Sequence, residues 1–202
     1  MLGFCTFFIT AIPAIILGII GLVKIGKSGG KLKGNGFAIA GIVVPTVSGL
    51  FVLPMMLGIM MPALARVRQI SFRMVCGTNM SALGKAMLIY SNDYDDIPIP
   101  PKWCDLLIEH ADVSPLMFRC KGATKGPCNY AMNKNIEKLD AERAPPDMVL
   151  LFETHPGWNQ TGGPEILTTD NHQGDGCNVL FVDLHVEFVK TEDLDDLKWK
   201  PD

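Results

Sequence analysis

The chain has 202 residues, is 48% hydrophobic and carries a formal net charge of −3, so one modest domain fits beside membrane segments. The charge is divided unevenly, because residues 1–92 contain eight Lys or Arg and no acid, whereas residues 93–202 contain all 21 acids and carry −11. This division argues against one uniform globule. The acidic half has only scattered basic residues, so a nucleic-acid partner is not expected.

Two long apolar runs open the chain, at residues 2–23 and residues 37–61. A helix rises about 1.5 Å per residue, so each run is long enough to cross a hydrocarbon core of about 30 Å. Residues 24–36 hold four lysines and five glycines and predict a basic loop. We therefore expect residues 1–61 to form a two-helix membrane anchor with the lipid bilayer as its partner. A signal peptide fits less well, because no charged segment precedes the first run.

Basic residues near the two runs predict the topology of the anchor. The four lysines of the loop favour the cytoplasm, whereas three arginines between residues 66 and 73 favour the opposite orientation. Long domains cross membranes with little regard to their charge, so the short basic loop decides the prediction. We expect a multi-pass membrane protein with an extracytoplasmic C-terminal domain.

Residues 62–91 continue the second run as a predicted stalk helix. Pro62 suits the first turn of a helix. Apolar residues then recur at helical spacing, at Leu64, Val67, Ile70, Met74, Val75, Leu83, Met87 and Tyr90. This stripe predicts an amphipathic helix that packs on the domain that follows. Binding of a partner helix or of the membrane surface is the alternative interpretation.

Residues 92–202 are expected to form the water-soluble domain, which begins with a turn-rich segment at residues 92–101. A short helix is predicted over residues 102–111. Strands are predicted over residues 148–154 and within the alternating run at residues 178–190, with a turn at His172–Gly176 before that run. These elements predict a small antiparallel sheet, either a hairpin or three strands, packed on the stalk helix. The fold class is therefore α+β.

Five of the six cysteines lie beyond the apolar runs. An oxidising compartment would allow two bridges and one free thiol, and spacing alone does not decide the pairing. A Cys120–Cys128 bridge that closes a surface loop is the first expectation, and pairing of Cys104 with either of them is the alternative. A zinc site is less favoured, because the pair lacks C-x-x-C spacing and an interleaved histidine.

Six histidines and carboxylates of the second half are the candidates for a metal-binding or catalytic site: Glu153, His155, His172, Asp175, Asp183 and His185. Asp183 and His185 share a strand face, and with His172 they are the candidate metal ligands. No third ligand lies at a diagnostic spacing, and no nucleophile motif is present. We therefore expect these side chains to fasten turns by hydrogen bonds, with no cofactor and no enzymatic activity. The alternative is a metal-dependent envelope hydrolase that uses His172, Asp183 and His185.

Three segments resemble known bacterial proteins. AIILGIIGLVKIGKSGGKLKGNGFAIAGIVV resembles a two-helix bacterial membrane domain of unknown function. Three short stretches of sequence are similar to the first helix and following turn of type IV pilin-like proteins, the pseudopilins: Pro62–Arg66, Cys76–Met80 and Tyr90–Asp93. TTDNHQGDGCNVLFVDLHVEFV is similar to the C-terminal His-x9-Asp-Gly motif of prepilin-like proteins, with His172 and Asp183 in the motif positions.

Two departures accompany the pilin resemblance. The helix lacks the glutamate that pilin precursors carry near its start, and the motif has ten residues between His172 and Asp183, with Leu184 where the family has glycine. The resemblance implies an extracytoplasmic pilin-like protein in a type II secretion or envelope assembly, with a structural or protein-interaction role. Its partners would be other envelope or secretion-system proteins. The missing glutamate favours a fixed protein over a filament subunit.

Overall fold

The computed structural model describes residues 2–29, 33–94, 100–123, 125–136 and 145–201. The fold is α+β, as predicted, and the chain divides into two compact units, Met1–Ala65 and Arg66–Asp202. The second unit therefore includes most of the predicted stalk helix together with the C-terminal domain. Residues 30–32 of the predicted basic loop lie outside the described residues.

The first unit contains α1, Leu2–Lys27, and the first part of α2, Asn35–Tyr94. The two helices contact each other through small residues: a Cβ at Gly18 would lie 2.7 Å from Ile42 Cγ1, and one at Gly41 would lie 3.5 Å from the Ala14 carbonyl oxygen. Small residues let apolar helices approach closely where no side chain separates them. Both helices are long and apolar enough to cross a membrane by length and composition.

In the second unit, the C-terminal part of α2 packs in the core from Cys76 onward. Cys76, Met80, Leu83, Met87 and Tyr90 recur at helical spacing and are all buried. The predicted stripe is therefore correct at Leu83, Met87 and Tyr90. Its earlier members are exposed, namely Leu64, Val67, Ile70, Met74 and Val75. Cys76 and Met80, which the predicted stripe omitted, are buried.

Five strands of the described residues form one sheet in the order β3-β1-β2-β4-β5. They are β1 Tyr130–Asn133, β2 Val149–Glu153, β3 Thr161–Gly162, β4 Gly176–Phe181 and β5 Val186–Lys190. Neighbours are antiparallel except β1 and β3, which are parallel, so the sheet is larger than predicted and mixed. The short β1 and β3 escaped prediction because neither has the alternation or length that indicates a strand.

The sheet is covered on both faces. One face packs on α2 and on α3, Trp103–His110, through a cluster that includes Leu107, Met132 and Leu180. The other face packs on the C-terminal segment, where Trp199 and Leu197 contact a cluster that includes Phe152 and Val179. Every residue of β1, β2 and β4 is consequently buried, so the predicted in–out alternation is absent from β4, and in the edge strand β5 only Glu187 and Lys190 are exposed.

The β4–β5 turn divides the predicted alternating run into two strands. Leu184 adopts a φ of 70°, in the left-handed region, at the position where the His-x9-Asp-Gly motif has glycine. The tight turn is therefore present although a leucine occupies the position that favours glycine. Partial burial of the Leu184 side chain against the α2-facing core opposes the conformational cost.

Candidate functional site

Glu153 and His172 form a buried polar cluster at the end of the sheet. Glu153 is the last residue of β2, and His172 ends a 3₁₀ turn, Asp170–His172, that precedes β4. The turn then reverses through Gln173 and Gly174, both with positive φ, and Gly176 begins β4. A Cβ at Gly176 would lie 2.1 Å from the Val189 carbonyl oxygen, so only glycine fits there. The predicted turn at His172–Gly176 is thus confirmed, and it places the histidine over the glutamate.

The two side chains are fully buried and face each other. His172 Nε2 lies 3.0 Å from each carboxylate oxygen of Glu153. Asn178 of β4 donates from Nδ2 to Glu153 Oε1 at 2.9 Å and lies 3.3 Å from His172 Nε2. In the tautomer that carries its proton on Nε2, His172 donates to a carboxylate that only accepts. The amide of Asn178 then donates to the carboxylate rather than to the ring.

A disulfide between Cys76 of α2 and Cys120 lies beside this pair. Cys120 Sγ is 3.6 Å from Glu153 Oε1 and 3.7 Å from His172 Nε2. The backbone N–H of Lys121 donates to Cys76 Sγ at 3.1 Å. Asn129 Oδ1 accepts from the Cys120 N–H, which fixes the loop that carries this cysteine. The disulfide and the buried pair therefore form one cluster.

This pairing differs from the expected Cys120–Cys128 bridge and from the Cys104 alternatives. Cys104, Cys128 and Cys177 are buried free thiols among the described residues. Cys128 Sγ donates to the Tyr130 carbonyl at 3.2 Å. The pKa of Cys104 is raised mainly by burial and secondly by a hydrogen bond with Cys128. Cys120 instead meets α2, whose cysteine is 44 residues earlier in the chain. The predicted Cys120–Cys128 bridge is therefore wrong, and the disulfide joins helix α2 to the loop that carries Cys120.

Two ionisable neighbours of Glu153 are held in their neutral forms. Burial, then the negative charge of Glu153, raises the pKa of Tyr130 well above its usual value. The phenol therefore stays protonated and donates to the Cys76 carbonyl at 3.3 Å. Burial and the same carboxylate also raise the pKa of Cys177, which keeps this thiol protonated and unreactive.

The opposite side of His172 is closed by an aromatic ring and a cation. The Phe188 ring lies 5.6 Å from the imidazole, edge to face, and the Arg73 guanidinium lies 4.3 Å from the centre of the Phe188 ring. Arg73 also pairs with Asp175. Cation–π and ion-pair contacts of this kind hold α2 against the turn that carries the histidine.

The remaining predicted site residues lie on the surface. Asp183 and His185 pair with each other in the β4–β5 turn, and His185 stacks on Phe181. His155 pairs with Asp170 at 3.7 Å. Among the described residues, the set that could hold a metal ion contains His172 but neither Asp183 nor His185. The structure therefore does not bring the three candidate metal ligands together.

The arrangement offers ligands for a metal ion. One ligand atom from each of Cys76, Cys120, Glu153 and His172 can be chosen so that all four lie within 4.8 Å of one another. No family model, curated protein or solved structure matches this chain. The chemistry of the cluster must accordingly be inferred from its own geometry.

A groove of about 620 Å³ opens beside Cys120. Its lining carries three cations, Arg119, Lys121 and Lys125, and the apolar side chains of Leu116 and Met117. No acidic residue lines the groove among the described residues. Cys120 belongs to its lining and is 5% exposed, whereas Cys76 is fully buried.

Sequence reasoning named Glu153 and His172 but did not join them to Cys76, Cys120 or Asn178. A signal for Cys76 exists, because it begins the buried series that continues through Met80, Leu83 and Met87 at helical spacing. That series places Cys76 on the face toward the sheet. The partner on the sheet side has no equivalent signal, because Cys120 lies in a loop between elements.

Gly122 is expected to be required for the cluster. A Cβ there would lie 2.0 Å from the Asn171 carbonyl oxygen and 3.2 Å from His172 Nδ1. Both neighbours are buried, so Gly122→Ala should lower the free energy of unfolding by about 1–3 kcal/mol. Chemical denaturation of the purified chain measures this difference. Lys121→Ala, a change at the adjacent position, serves as the control, and equal effects of the two substitutions would contradict the steric reason.

Proposed function

We propose that this chain is a membrane-anchored bacterial protein with an extracytoplasmic pilin-like domain that has a structural or protein-interaction role. The bilayer is its first partner, and other proteins of the envelope or of a type II secretion assembly are the second. The observation that carries the proposal is the composition of α2, which is apolar and exposed near its start and buried in a protein core near its end.

The membrane part of the proposal is supported by the exposed apolar side chains of the first unit. Phe37 is 89% exposed, Leu50 72% and Phe51 70%. Isolated apolar residues on a surface need no explanation, but long helices that expose them throughout require an apolar surrounding. Lipid supplies that surrounding, and Pro13, Pro45 and Pro54 within the helices are tolerated in membrane spans.

The interaction part is supported by the groove beside Cys120. Its cations and apolar side chains suit a partner segment that combines carboxylates with apolar residues. By contrast, the polar cluster at Glu153 and His172 is sealed from solvent, and the other titratable candidates are engaged in surface ion pairs. The groove is thus a recognition surface, and the cluster beneath it maintains its shape.

A cysteine-labelling experiment tests the topology on which the proposal depends. Glu192 and Lys27 are exposed, so Glu192→Cys and Lys27→Cys place reactive thiols at the C-terminal domain and near the basic loop. A membrane-impermeant maleimide applied to spheroplasts should label the Glu192→Cys variant at once. It should label the Lys27→Cys variant only after lysis, because the loop lysines favour the cytoplasm.

The parent chain is the control for native thiols, and its described cysteines from residue 76 onward are buried and should stay unlabelled in the folded protein. Extraction at alkaline pH, which removes peripheral proteins, should leave the chain in the membrane fraction. Protection of the Glu192→Cys variant in intact spheroplasts, combined with labelling of the Lys27→Cys variant, would reverse the topology. Release of the chain by alkaline extraction would refute the anchor.

A further inference from the structure

We propose that Cys76, Cys120, Glu153 and His172 form a zinc site when the Cys76–Cys120 disulfide is reduced, so that the domain exchanges a covalent cross-link for a metal cross-link. The inference goes beyond the proposed structural or interaction role. It rests on the second unit alone and does not depend on the topology of the chain. Both cross-links join α2 to the loop that carries Cys120, and the metal would add β2 and the turn before β4.

Distances within the cluster match a tetrahedral zinc site. Zinc binds thiolate, imidazole and carboxylate at about 2.0–2.3 Å, which places tetrahedral ligand atoms about 3.3–3.8 Å apart. Cys120 Sγ lies 3.6 Å from Glu153 Oε1 and 3.7 Å from His172 Nε2, and these last two atoms are 3.0 Å apart. Three protein ligand atoms are thus already at or near the required spacing. Reduction allows the fourth, Cys76 Sγ, to separate from Cys120 to the same spacing.

Unused hydrogen-bonding capacity in the cluster is a second, independent observation. Glu153 Oε2 and His172 Nδ1 are buried and have no hydrogen-bond partner among the described residues. Oε2 lies 3.0 Å from His172 Nε2, but the proton on that nitrogen cannot serve both carboxylate oxygens equally. Buried polar atoms without partners are costly and rare in folded proteins. Coordination of the carboxylate and of Nε2 to a cation would remove that competition, whereas Nδ1 would carry the imidazole proton and is not a ligand.

The environment of the sulfur atoms suits thiolates. The Lys121 N–H already donates to Cys76 Sγ at 3.1 Å, and a hydrogen bond of this kind stabilises a metal-bound thiolate. Two thiolates, one carboxylate and Zn²⁺ carry a total charge of −1, the same as a Cys₃His site. Structural zinc sites with that ligand charge are common. Thiolate and imidazole together select zinc over Mg²⁺ or Ca²⁺, which prefer oxygen ligands.

Exchange of the cross-links is balanced in atoms and electrons. A dithiol reductant gives two electrons and two protons to the Cys76–Cys120 bond and becomes a disulfide itself, leaving two cysteine thiols. Zn²⁺ then binds as two thiolates form and the imidazole proton of His172 moves from Nε2 to Nδ1, so the two thiol protons are released to solvent. Cys120 lines the groove and is 5% exposed, whereas Cys76 is fully buried, so we place the attack of the reductant on the Cys120 sulfur, with Cys76 as the leaving group. With four protein ligands the site is closed and therefore structural rather than hydrolytic.

Metal binding by the full chain in detergent tests the proposal. The chain is reduced with a phosphine, which becomes a phosphine oxide and does not compete for zinc. It is then given Zn²⁺ or Co²⁺ and desalted. We expect one bound metal per reduced chain, and with Co²⁺ the charge-transfer absorption of thiolate ligands and the visible bands of tetrahedral cobalt. The oxidised chain should bind at least about tenfold less, because its sulfurs are bonded to each other.

Glu153→Gln and His172→Gln should each weaken zinc binding by about 10–100-fold or more, because losing a residue that only hydrogen-bonds to a metal ligand already costs that much. Cys177→Ser and His185→Gln, which alter a buried thiol and an exposed histidine outside the cluster, are the matched controls and should bind as the parent does. Circular dichroism before and after metal addition shows whether each reduced chain is folded. A reduced parent chain that binds no stoichiometric metal, folded or not, would overturn the proposal. Equal binding by the oxidised parent, or by both ligand variants, would also overturn it.

Discussion

Glu153→Ala is expected to lower the free energy of unfolding of the C-terminal unit by about 1–3 kcal/mol, the cost of leaving buried hydrogen-bonding groups without a partner. The carboxylate and the imidazole of His172 have no solvent-exposed side-chain surface and lie 3.0 Å apart. Removing the carboxylate leaves the imidazole buried without its hydrogen-bond partner. It also leaves the Asn178 amide without the acceptor that it contacts at 2.9 Å.

Urea unfolding of the full chain in a mild detergent measures this loss. The three tryptophans, Trp103, Trp158 and Trp199, all lie in the second unit, so their fluorescence follows that unit alone. His155→Ala is the matched control, because it breaks the exposed contact of His155 with Asp170. Exposed pairs contribute only about 0–1 kcal/mol. An effect of Glu153→Ala no larger than that of the control would contradict the buried-pair interpretation.

A double-mutant cycle separates the contact from the general cost of truncation. Glu153→Ala combined with His172→Ala should be less destabilised than the sum of the single variants, because the second substitution removes the group that the first left unpaired. Coupling energies between contacting residues are commonly about 0.5–3 kcal/mol. Additive effects would show that the two side chains stabilise the fold independently.

Reduction of the Cys76–Cys120 disulfide in the presence of a metal chelator is expected to cost about 4 kcal/mol of unfolding free energy. The two cysteines are 44 residues apart, and closing a loop of that length restricts the unfolded chain by about this amount. The chelator prevents zinc from replacing the covalent cross-link. The same tryptophan fluorescence compares oxidised and reduced chains without any substitution.

The double variant Cys76→Ala and Cys120→Ala is the control for this measurement. Its stability should not change on addition of the phosphine, since no described disulfide remains for the reductant to open. If the reductant destabilises the double variant as much as the parent, the effect does not come from this bridge. Omitting the chelator and adding zinc should restore part of the lost stability in the parent alone.

Elements with strong local patterns were predictable. The short helix α3, the strand β2, the turn at His172–Gly176 and a helix through residues 62–91 follow from spacing of apolar residues and from turn residues. The extent of the sheet was not predictable, because β1 and β3 are formed by pairing with neighbours and not by local pattern. Burial of both faces of β4 likewise depends on the C-terminal segment around Trp199.

Cysteine pairing illustrates the same division. Cys120 and Cys128 are close in sequence and made a short bridge plausible, yet the partner of Cys120 lies 44 residues earlier on α2. Close spacing in sequence does not determine the direction of a side chain. That direction depends on the packing of the loop against the helix, and no local sequence pattern predicts this packing.

The amino-acid sequence alone determines the division of this chain into an apolar basic half and an acidic half, and the helical series along α2, because hydrophobicity and charge are local properties. It also supplies the histidine and the glutamate of the cluster. Only the tertiary structure decides that Glu153, His172, Cys76 and Cys120 meet, since they come from a strand end, a turn, a helix and a loop. Their contact depends on long-range packing of those four elements, and the disulfide, the buried pair and the proposed zinc site all follow from it.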